Sequence, residues 1–314
     1  MRKKALSLIL AGTMIISYVT SAGATNATSV GGTFNKKTGV ITLKGKGPMP
    51  RTLNYRNNKR VKKVIIKNGV TTINLKAFYK CKNLKKIKIG KKVKKIGRFA
   101  FYQSSIKNLI IPKNVKSIGV GAFCTKKAIN KVKMPGKIKS KTIVDYEKPL
   151  VVSDANIIEF TSALDLNTVL LVNAGNYKVS SRDSKYSSAD GVIYTKDGKT
   201  SVRLPNREKV VISNKCEEFD VFSYMYAYFY GDDFYEFKCD RVKEIVLPES
   251  IVKISDSSTP MYEYSAYIKK SNLERIEVKN PEIDDESLEK LKTIFHGGCD
   301  VEKSEKSIVL TKKK

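Results

Sequence analysis

The stretch that decides the fold is residues 84–105, LKKIKIGKKVKKIGRFAFYQSS, because it is one copy of a repeat of 22–23 residues. The preceding copy, at 61–83, reads VKKVIIKNGVTTINLKAFYKCKN, and the following copy, at 106–128, reads IKNLIIPKNVKSIGVGAFCTKKA. The dipeptide Ala-Phe recurs at 77–78, 100–101 and 122–123, and a fourth copy starts at Ile129. Self-similarity at this short period is typical of solenoids, in which structurally alike turns stack on one another.

The apolar spacing within each copy predicts a short strand followed by a turn. Apolar residues occupy the first, fourth and sixth positions, and the last two alternate with an outward position, as in a half-buried strand. The same spacing returns at 242–247 and 273–278. A single copy cannot bury its apolar side alone, so we predict parallel strands stacked along one face. We also predict that Phe78, Phe101 and Phe123 stack as a column inside the coil.

These repeats resemble those of the BspA-like leucine-rich repeat family, whose pattern runs I-P-x-x-V-x-x-I-G-x-x-A-F-x-x-C-x-x-L. The match runs through residues 111–124, IPKNVKSIGVGAFC, and through 78–84, FYKCKNL. The resemblance implies a bacterial secreted or surface protein with an adhesive role. Residues 32–49 are similar to the hairpin that opens such proteins, and residues 186–205 to a hairpin inserted between their repeats. Ser104 and Lys126 stand where the family pattern has cysteine, which argues against a catalytic or metal-binding role for that position.

The predicted fold is therefore mainly β with short helical turns: a leucine-rich-repeat solenoid with parallel strands on one face, inserted hairpins and a C-terminal helix cap. The apolar spacing of 284–295, DDESLEKLKTIF, after an acidic start indicates that cap. The predicted organisation is a signal peptide at 1–24, an N-terminal hairpin cap at 25–60, basic repeats at 61–140, degenerate repeats at 141–280 with the inserted hairpin near 186–205, and a helical cap with a basic tail at 281–314.

Residues 1–24 have the pattern of an export signal. Three basic residues precede an apolar run to about Val19, and Ala22-Gly-Ala24 offers a small-residue cleavage site. No other stretch has the length of apolar sequence that a membrane helix needs. We expect a secreted protein whose association with a cell wall or cell surface, where it occurs, is non-covalent. The five cysteines are widely spaced and odd in number, so we expect most of them to be buried and free.

Positive charge is concentrated in the first repeats. Residues 25–149 contain 33 lysines and arginines against two acids, a net of +31, whereas residues 150–314 contain 24 basic and 28 acidic residues, a net of −4. With inward-facing apolar positions fixed by the repeat, the outward strand positions predict a ligand-binding face made of Lys63, Lys86, Lys88, Lys131 and Lys133. Strands about 4.8 Å apart place these ammonium groups within the roughly 8 Å screening length of physiological salt.

An excess of like charge on one face indicates an anionic partner, although a merely solvated lysine-rich face is the alternative. For an exported protein the partner would be an anionic polymer or surface, such as teichoic acid or a host glycan, or a host protein. Nucleic acid is disfavoured, because lysine outnumbers arginine and the basic strands lack interleaved aromatics for base stacking. A second interpretation is passive display on the cell's own wall. The sequence leaves the ligand's identity and the oligomeric state open.

The residue pattern gives little support for a catalytic function. The chain has one histidine, His296, which lies close to Cys299 after the predicted helix, and it has neither a G-x-S-x-G motif nor metal-ligand spacing. We therefore predict a non-enzymatic protein with no catalytic residue, no metal and no cofactor. The one enzymatic alternative is a glycan-acting enzyme that uses the aromatic segment 219–237, which has ten Phe or Tyr in nineteen positions. Core or rim packing is the competing interpretation of that segment.

Overall fold

The computed structural model describes residues 13–15, 29–139, 151–169, 171–221, 241–256, 272–295 and 297–313. Within these ranges the chain is mainly β with two short α-helices, wound into a parallel-strand solenoid of about six turns. The predicted fold class is confirmed. Most of the predicted signal peptide lies outside the described residues, and Thr13–Ile15 forms β1.

The first sheet begins with the predicted hairpin and continues into the basic repeats. Strands β2 (Gly31–Asn35) and β3 (Val40–Lys44) pair antiparallel, and β1 pairs with β2. The next two strands of this sheet, β5 (Lys63–Ile66) and β7 (Lys86–Lys88), are parallel to β3 and to each other. The short strand β4 (Gly47–Pro48) leads instead to the second face of the coil.

The second apolar pair of each copy forms that second face. Its sheet is parallel and runs through β4, β6 (Val70–Ile73), β8 (Lys95–Ile96) and β10 (Ser117–Ile118). The core lies between the two faces, where the side chains of Val64, Ile73, Leu84 and Ile96 are fully buried. Each turn of the chain therefore contributes one strand to each face, which is how the 22–23-residue copies stack.

The predicted aromatic column runs through the core. The rings of Phe78 and Phe101 stack with centroids 5.2 Å apart, those of Phe101 and Phe123 also stack at 5.2 Å, and Tyr55 extends the column below Phe78 at 5.5 Å. All three phenylalanines are fully buried. The nearby cysteine Cys81 is buried with its Sγ 3.0 Å from the carbonyl oxygen of Tyr55, so it acts as a small core residue.

The turn before each Ala-Phe pair requires a left-handed backbone. Lys76 and Phe99 hold φ at 53°, and Gly121 at the same place in the third copy holds it at 64°. L residues adopt this region at a cost of roughly 1–2 kcal/mol, which glycine avoids. Phe99 compensates by contacting Tyr102 edge to face at 5.5 Å. The stacking of the turns thus holds non-glycine residues in a conformation that a free chain rarely adopts.

A second sheet continues the strand face beyond the third copy. Its strands are parallel and follow the order β9 (Asn108–Ile110), β11 (Ile129–Met134), β12 (Val152–Phe160) and β13 (Val172–Ala174), with β14 (Tyr177–Lys178) also paired to β12. Helix α1 (Leu166–Val169) connects β12 to β13. β7 is the last strand of the first sheet and β9 is the first of the second, with no ladder between them.

The insertion near 186–205 is a three-stranded antiparallel sheet. It consists of β15 (Tyr186–Ala189), β16 (Val192–Thr195) and β17 (Ser201–Arg203). Asp197-Gly198 forms the turn between β16 and β17, where Gly198 has a φ of 83° and donates its N–H to the Thr195 carbonyl. This turn closes the hairpin that was predicted near 186–205.

The distal turns repeat the architecture and end in a helix and a hairpin. One sheet has the order β18 (Lys209–Val211), β20 (Glu244–Leu247), β22 (Arg275–Val278), β24 (Ile308–Lys312) and β23 (Cys299–Lys303), and a smaller one pairs β19 (Glu218–Asp220) with β21 (Lys253–Ser255). Helix α2 (Asp285–Lys292) is capped by Asp284, whose carboxylate accepts from the Ser287 N–H. The helix is as predicted, whereas the sequence analysis did not predict the hairpin of β23 and β24.

Candidate functional site

The structure places all five predicted binding lysines on the strand face. On β5 and β7, Lys63 lies opposite Lys86 in the parallel register, and all of Lys63, Lys86 and Lys88 are exposed. On β11, Lys131 and Lys133 are half-buried and lie opposite Asn108 and Ile110 of β9. The face therefore has two lysine groups, a proximal one on β5 and β7 and a distal one on β11, separated by a strand without charge.

The distal lysine group is neutralised in part by a carboxylate that the sequence analysis did not identify. Glu159 on β12 lies opposite Lys133. Its Oε1 is 3.1 Å from the Nζ of Lys133, and its Oε2 is 2.8 Å from the Nζ of Lys131. The hydrogen bond from Lys131, together with that from Lys133, holds the pKa of Glu159 below its usual value although burial opposes the shift. This part of the face carries about one net positive charge instead of two.

The proximal lysine group has no such partner among the residues that the structure describes. No carboxylate of those residues pairs with Lys63, Lys86 or Lys88. Loop lysines that the sequence analysis did not single out extend the same surface; they are Lys85, Lys91, Lys107 and Lys113. Their signal was present in the sequence as the lysines flanking each strand, but their convergence depends on how the loops stack.

The strand face of the distal turns has a different charge arrangement. Lys209, Glu244 and Arg275 lie side by side on β18, β20 and β22. The carboxylate of Glu244 is 3.0 Å from the Nζ of Lys209 and 2.6 Å from Nη1 of Arg275, which also lies 2.9 Å from the carboxylate of Glu277. The hydrogen bond from Lys209 contributes most to holding the pKa of Glu244 below its usual value. Cations and anions thus alternate across these strands.

A second basic hollow lies on the other face of the coil. It has a volume of about 560 Å³, and four basic residues line it together with the exposed Leu75: Arg51, Arg56, Lys95 and Arg98. Arg98 stacks its guanidinium 5.6 Å from the ring centroid of Phe99. Basic character in the first turns is therefore not confined to the strand face, so a binding experiment needs a control variant on this second face.

Of the candidate catalytic groups, Cys299 is half-buried on β23, where burial raises the pKa of its thiol, and the others lie mostly outside the described residues. His296, Cys239 and most of the aromatic segment 219–237 are outside them. Burial raises the pKa of the Cys81 and Cys216 thiols to about 11, so both are protonated and poor nucleophiles at neutral pH. Three of the four cysteines that the structure describes are buried, as expected: Cys81, Cys124 and Cys216.

The remaining acids show no metal-like grouping. Within the described ranges, no cluster of three or more His, Cys, Asp or Glu residues has the arrangement of a metal site. Asp284 caps helix α2, and Asp197 accepts hydrogen bonds from Thr195 and from the Lys199 N–H within its own turn. In the part of the chain that the structure describes, neither helix has the length and apolar character needed to cross a membrane.

Comparison with known proteins agrees with this architecture. Residues 54–146 match the family described as BspA type leucine rich repeat region, in six copies. No curated protein matches the sequence.

Three solved structures show similarity. A leucine-rich repeat protein from Eubacterium ventriosum is 16% identical, with a TM-score of 0.41 over 73% of this chain and 66% of that one. The pneumococcal vaccine antigen PcpA is 16% identical, with a TM-score of 0.37 over 84% and 72% of the two chains. A leucine-rich cell surface protein from Faecalibacterium prausnitzii is 18% identical, with a TM-score of 0.27 over 75% and 73%. The repeat pattern, the stacked turns and the family match together identify residues 54–146 of this chain as a BspA-type leucine-rich repeat region.

Proposed function

We propose that the protein is a secreted, non-enzymatic binding protein that uses the proximal lysine group to hold an anionic surface or partner, as in adhesion. The observation that carries the proposal is the row of Lys63, Lys86 and Lys88 on adjacent strands, with no neutralising carboxylate among the described residues. Leucine-rich repeats commonly serve protein binding, which supports a binding role over catalysis.

The destabilisation caused by placing like charges on neighbouring strands supports the same interpretation. Like charges facing each other across neighbouring strands destabilise a sheet by a few tenths to about 1 kcal/mol per pair. A net charge of about 2–8 is enough to keep a small domain soluble, so solubility does not require this local excess. A surface of one sign raises the local concentration of an oppositely charged partner and speeds its association.

Lys131 and Lys133 contribute less than the proximal lysine group to the proposed binding face. Because both pair with Glu159, an anionic partner has to compete with that carboxylate for them. We propose that they extend the binding face beyond β9 when the partner is long enough to reach β11. Anionic polymers such as teichoic acid or host glycans, and acidic proteins, meet that requirement.

The test is binding to immobilised dextran sulfate across a salt gradient, with a charge-matched control. Substituting glutamine for Lys63, Lys86 and Lys88 removes the proximal group, whereas substituting it for Lys94, Lys116 and Lys139 removes three exposed lysines from the second face of the coil. We expect the first variant to lose most of its retention and the control to lose little. By analogy with nucleic acids, the log–log slope of affinity against salt should become shallower by about one unit for each ammonium group removed from the interface.

Two outcomes would contradict the proposal. Equal losses in both variants would show that net charge, and not the strand face, determines binding. Retention of the wild-type protein that does not change with salt would show that ammonium groups contribute nothing to binding.

A further inference from the structure

The strand face opens between β7 and β9. Each of these strands pairs on one side only, β7 with β5 and β9 with β11. Two backbone hydrogen bonds hold them together where they begin. The Ser105 N–H donates to the Leu84 carbonyl at 3.0 Å, and the Lys107 N–H donates to the Lys85 carbonyl at 3.4 Å. Beyond that point no ladder joins them, so the two strands stay adjacent without pairing as a sheet along their length.

A hollow of about 1160 Å³ lies over this opening, and its lining is strongly basic. Seven lysines contribute to it, whereas the lining contains no acid and no aromatic residue: Lys63, Lys85, Lys86, Lys88, Lys91, Lys107 and Lys113. The hollow exceeds the usual 300–1,000 Å³ of a small-molecule pocket and is open to solvent. Its size and charge suit a segment of an anionic chain.

The floor of the hollow is apolar, which distinguishes it from the rest of the strand face. Ile110 of β9 is 66% exposed there, although it is a large aliphatic residue. Ile87 of β7 also reaches the hollow and is only half-buried. The residues that match Ile87 on the neighbouring strands, Val64 and Leu109, are almost fully buried. Ile110 occupies an outward position of β9, and together with the part of Ile87 that the opening exposes it forms an aliphatic surface among the lysines.

We propose that this hollow binds an extended acidic segment of a partner protein, with one apolar side chain seated on Ile110 and flanking carboxylates paired with the surrounding lysines. The inference rests on the proposed function and specifies the partner class. Two features favour a peptide over a sulfated or phosphorylated polymer. The aliphatic floor matches an amino-acid side chain, and no aromatic ring is present in the lining on which a sugar could stack.

The experiment measures fluorescence anisotropy of labelled peptides with the full chain. One nine-residue peptide has a central leucine among glutamates, and its matched control has serine in place of the leucine. Inorganic polyphosphate serves as the competing polyanion. The protein variants are Ile110→Thr, which keeps a β-branched residue on an exposed strand position, and Val252→Thr, which changes an equally exposed apolar residue in the distal half.

We expect the leucine peptide to bind wild type about tenfold tighter than the serine peptide, as burial of one aliphatic side chain provides. Ile110→Thr should abolish that difference, and Val252→Thr should leave it unchanged. Equal binding of the two peptides to wild type would overturn the inference. The inference would also be overturned if polyphosphate bound as tightly as the leucine peptide and Ile110→Thr had no effect on peptide binding. In either case the proposed function stands if polyphosphate binding depends on Lys63, Lys86 and Lys88, and it fails if no polyanion binds.

Discussion

The strand faces of residues 61–134 and of residues 209–278 are built on the same interior but differ in how their charges are balanced. Both halves bury aliphatic residues at every second strand position, as at Val64 and Ile66 and at Ile245 and Leu247. Outside that core, the proximal turns expose lysines on neighbouring strands, whereas the distal turns alternate Lys209, Glu244 and Arg275 in one row of ion pairs.

The difference shows that the repeat fixes the interior and leaves the outer positions open to selection for other purposes. A parallel ladder places outward side chains about 4.8 Å apart, so charges of opposite sign stabilise it slightly and charges of like sign destabilise it slightly. The distal arrangement is what stability alone favours. The proximal arrangement goes against stability, and binding to an anion is a physical reason for keeping it.

The largest expected effect tests whether the interiors of the two halves are equivalent. Phe101→Ala removes the middle ring of the column between Phe78 and Phe123, and Phe219→Ala removes a fully buried ring from the distal core. Each substitution should lower the free energy of unfolding by about 3–5 kcal/mol, because a large cavity replaces packed aromatic surface. Urea denaturation measures this decrease in the free energy of unfolding. A decrease below about 1 kcal/mol at Phe101 alone would show that the column contributes little to the proximal turns.

The next prediction makes the distal face resemble the proximal one. Glu244→Lys would place three cations side by side on β18, β20 and β22 and should lower the free energy of unfolding by about 1–2 kcal/mol at low salt. High salt should restore part of the lost stability, since these side chains are accessible to solvent. Glu244→Gln is the control and should be destabilised less.

The pH dependence provides an independent check on that pairing. The pKa of Glu244 is lowered in the folded state, so its contribution to stability is present above the usual glutamate range and is lost as the pH falls through the folded-state value. Glu244→Gln removes this titration. The stability difference between wild type and Glu244→Gln should therefore shrink on acidification, and a constant difference would mean that the carboxylate contributes nothing through its charge.

The repeat pattern was sufficient to predict the solenoid and the aromatic column, and the apolar spacing of 284–295 was sufficient for helix α2. Both depend on local spacing, because inward positions are apolar in every copy and turns use Gly or Ala-Phe at fixed places. The hairpins near 32–49 and 186–205 were instead implied by the resemblance to the BspA-like family. The outward position of Lys63, Lys86 and Lys88 followed from the same alternation.

The neutralising role of Glu159 was not predictable in this way. Glu159 follows Lys133 by 26 residues, outside the 22–23-residue period, so its alignment with Lys133 depends on the register of β12. The opening between β7 and β9 also leaves no signal, because Ile87 occupies the same pattern position as Val64 and Leu109. Whether two such strands pair or separate depends on their three-dimensional neighbours, and the spacing of apolar residues contains no information on that.

The converse substitution makes the proximal face resemble the distal one. Lys86→Glu would place a carboxylate opposite Lys63 in the register of β5 and β7. We expect a gain in stability of a few tenths of a kcal/mol and about a tenfold loss of affinity for dextran sulfate. Lys94→Glu makes the same change in net charge on the second face. If Lys94→Glu weakens binding as much as Lys86→Glu, the strand face has no special role.

The smallest expected effect concerns the place where the two arrangements meet, at Glu159. Glu159→Gln removes the carboxylate shared by Lys131 and Lys133 and should raise affinity for dextran sulfate about threefold, with a steeper salt dependence, because two more ammonium groups become available. Glu277→Gln, which removes a carboxylate paired with Arg275 in the distal half, makes the same change in net charge and should leave affinity unchanged.

Titration of Glu159 distinguishes local release of these lysines from a general effect of charge. Because its pKa lies below the usual glutamate value, Glu159 stays ionised at pH 5 and at pH 7, and the affinity advantage of Glu159→Gln should be the same at both. Below the usual glutamate range wild type becomes protonated at this site and should approach the variant. An advantage that disappears already between pH 7 and pH 5 would show that some other group controls binding, and that Glu159 does not mark the boundary of the anion-binding face.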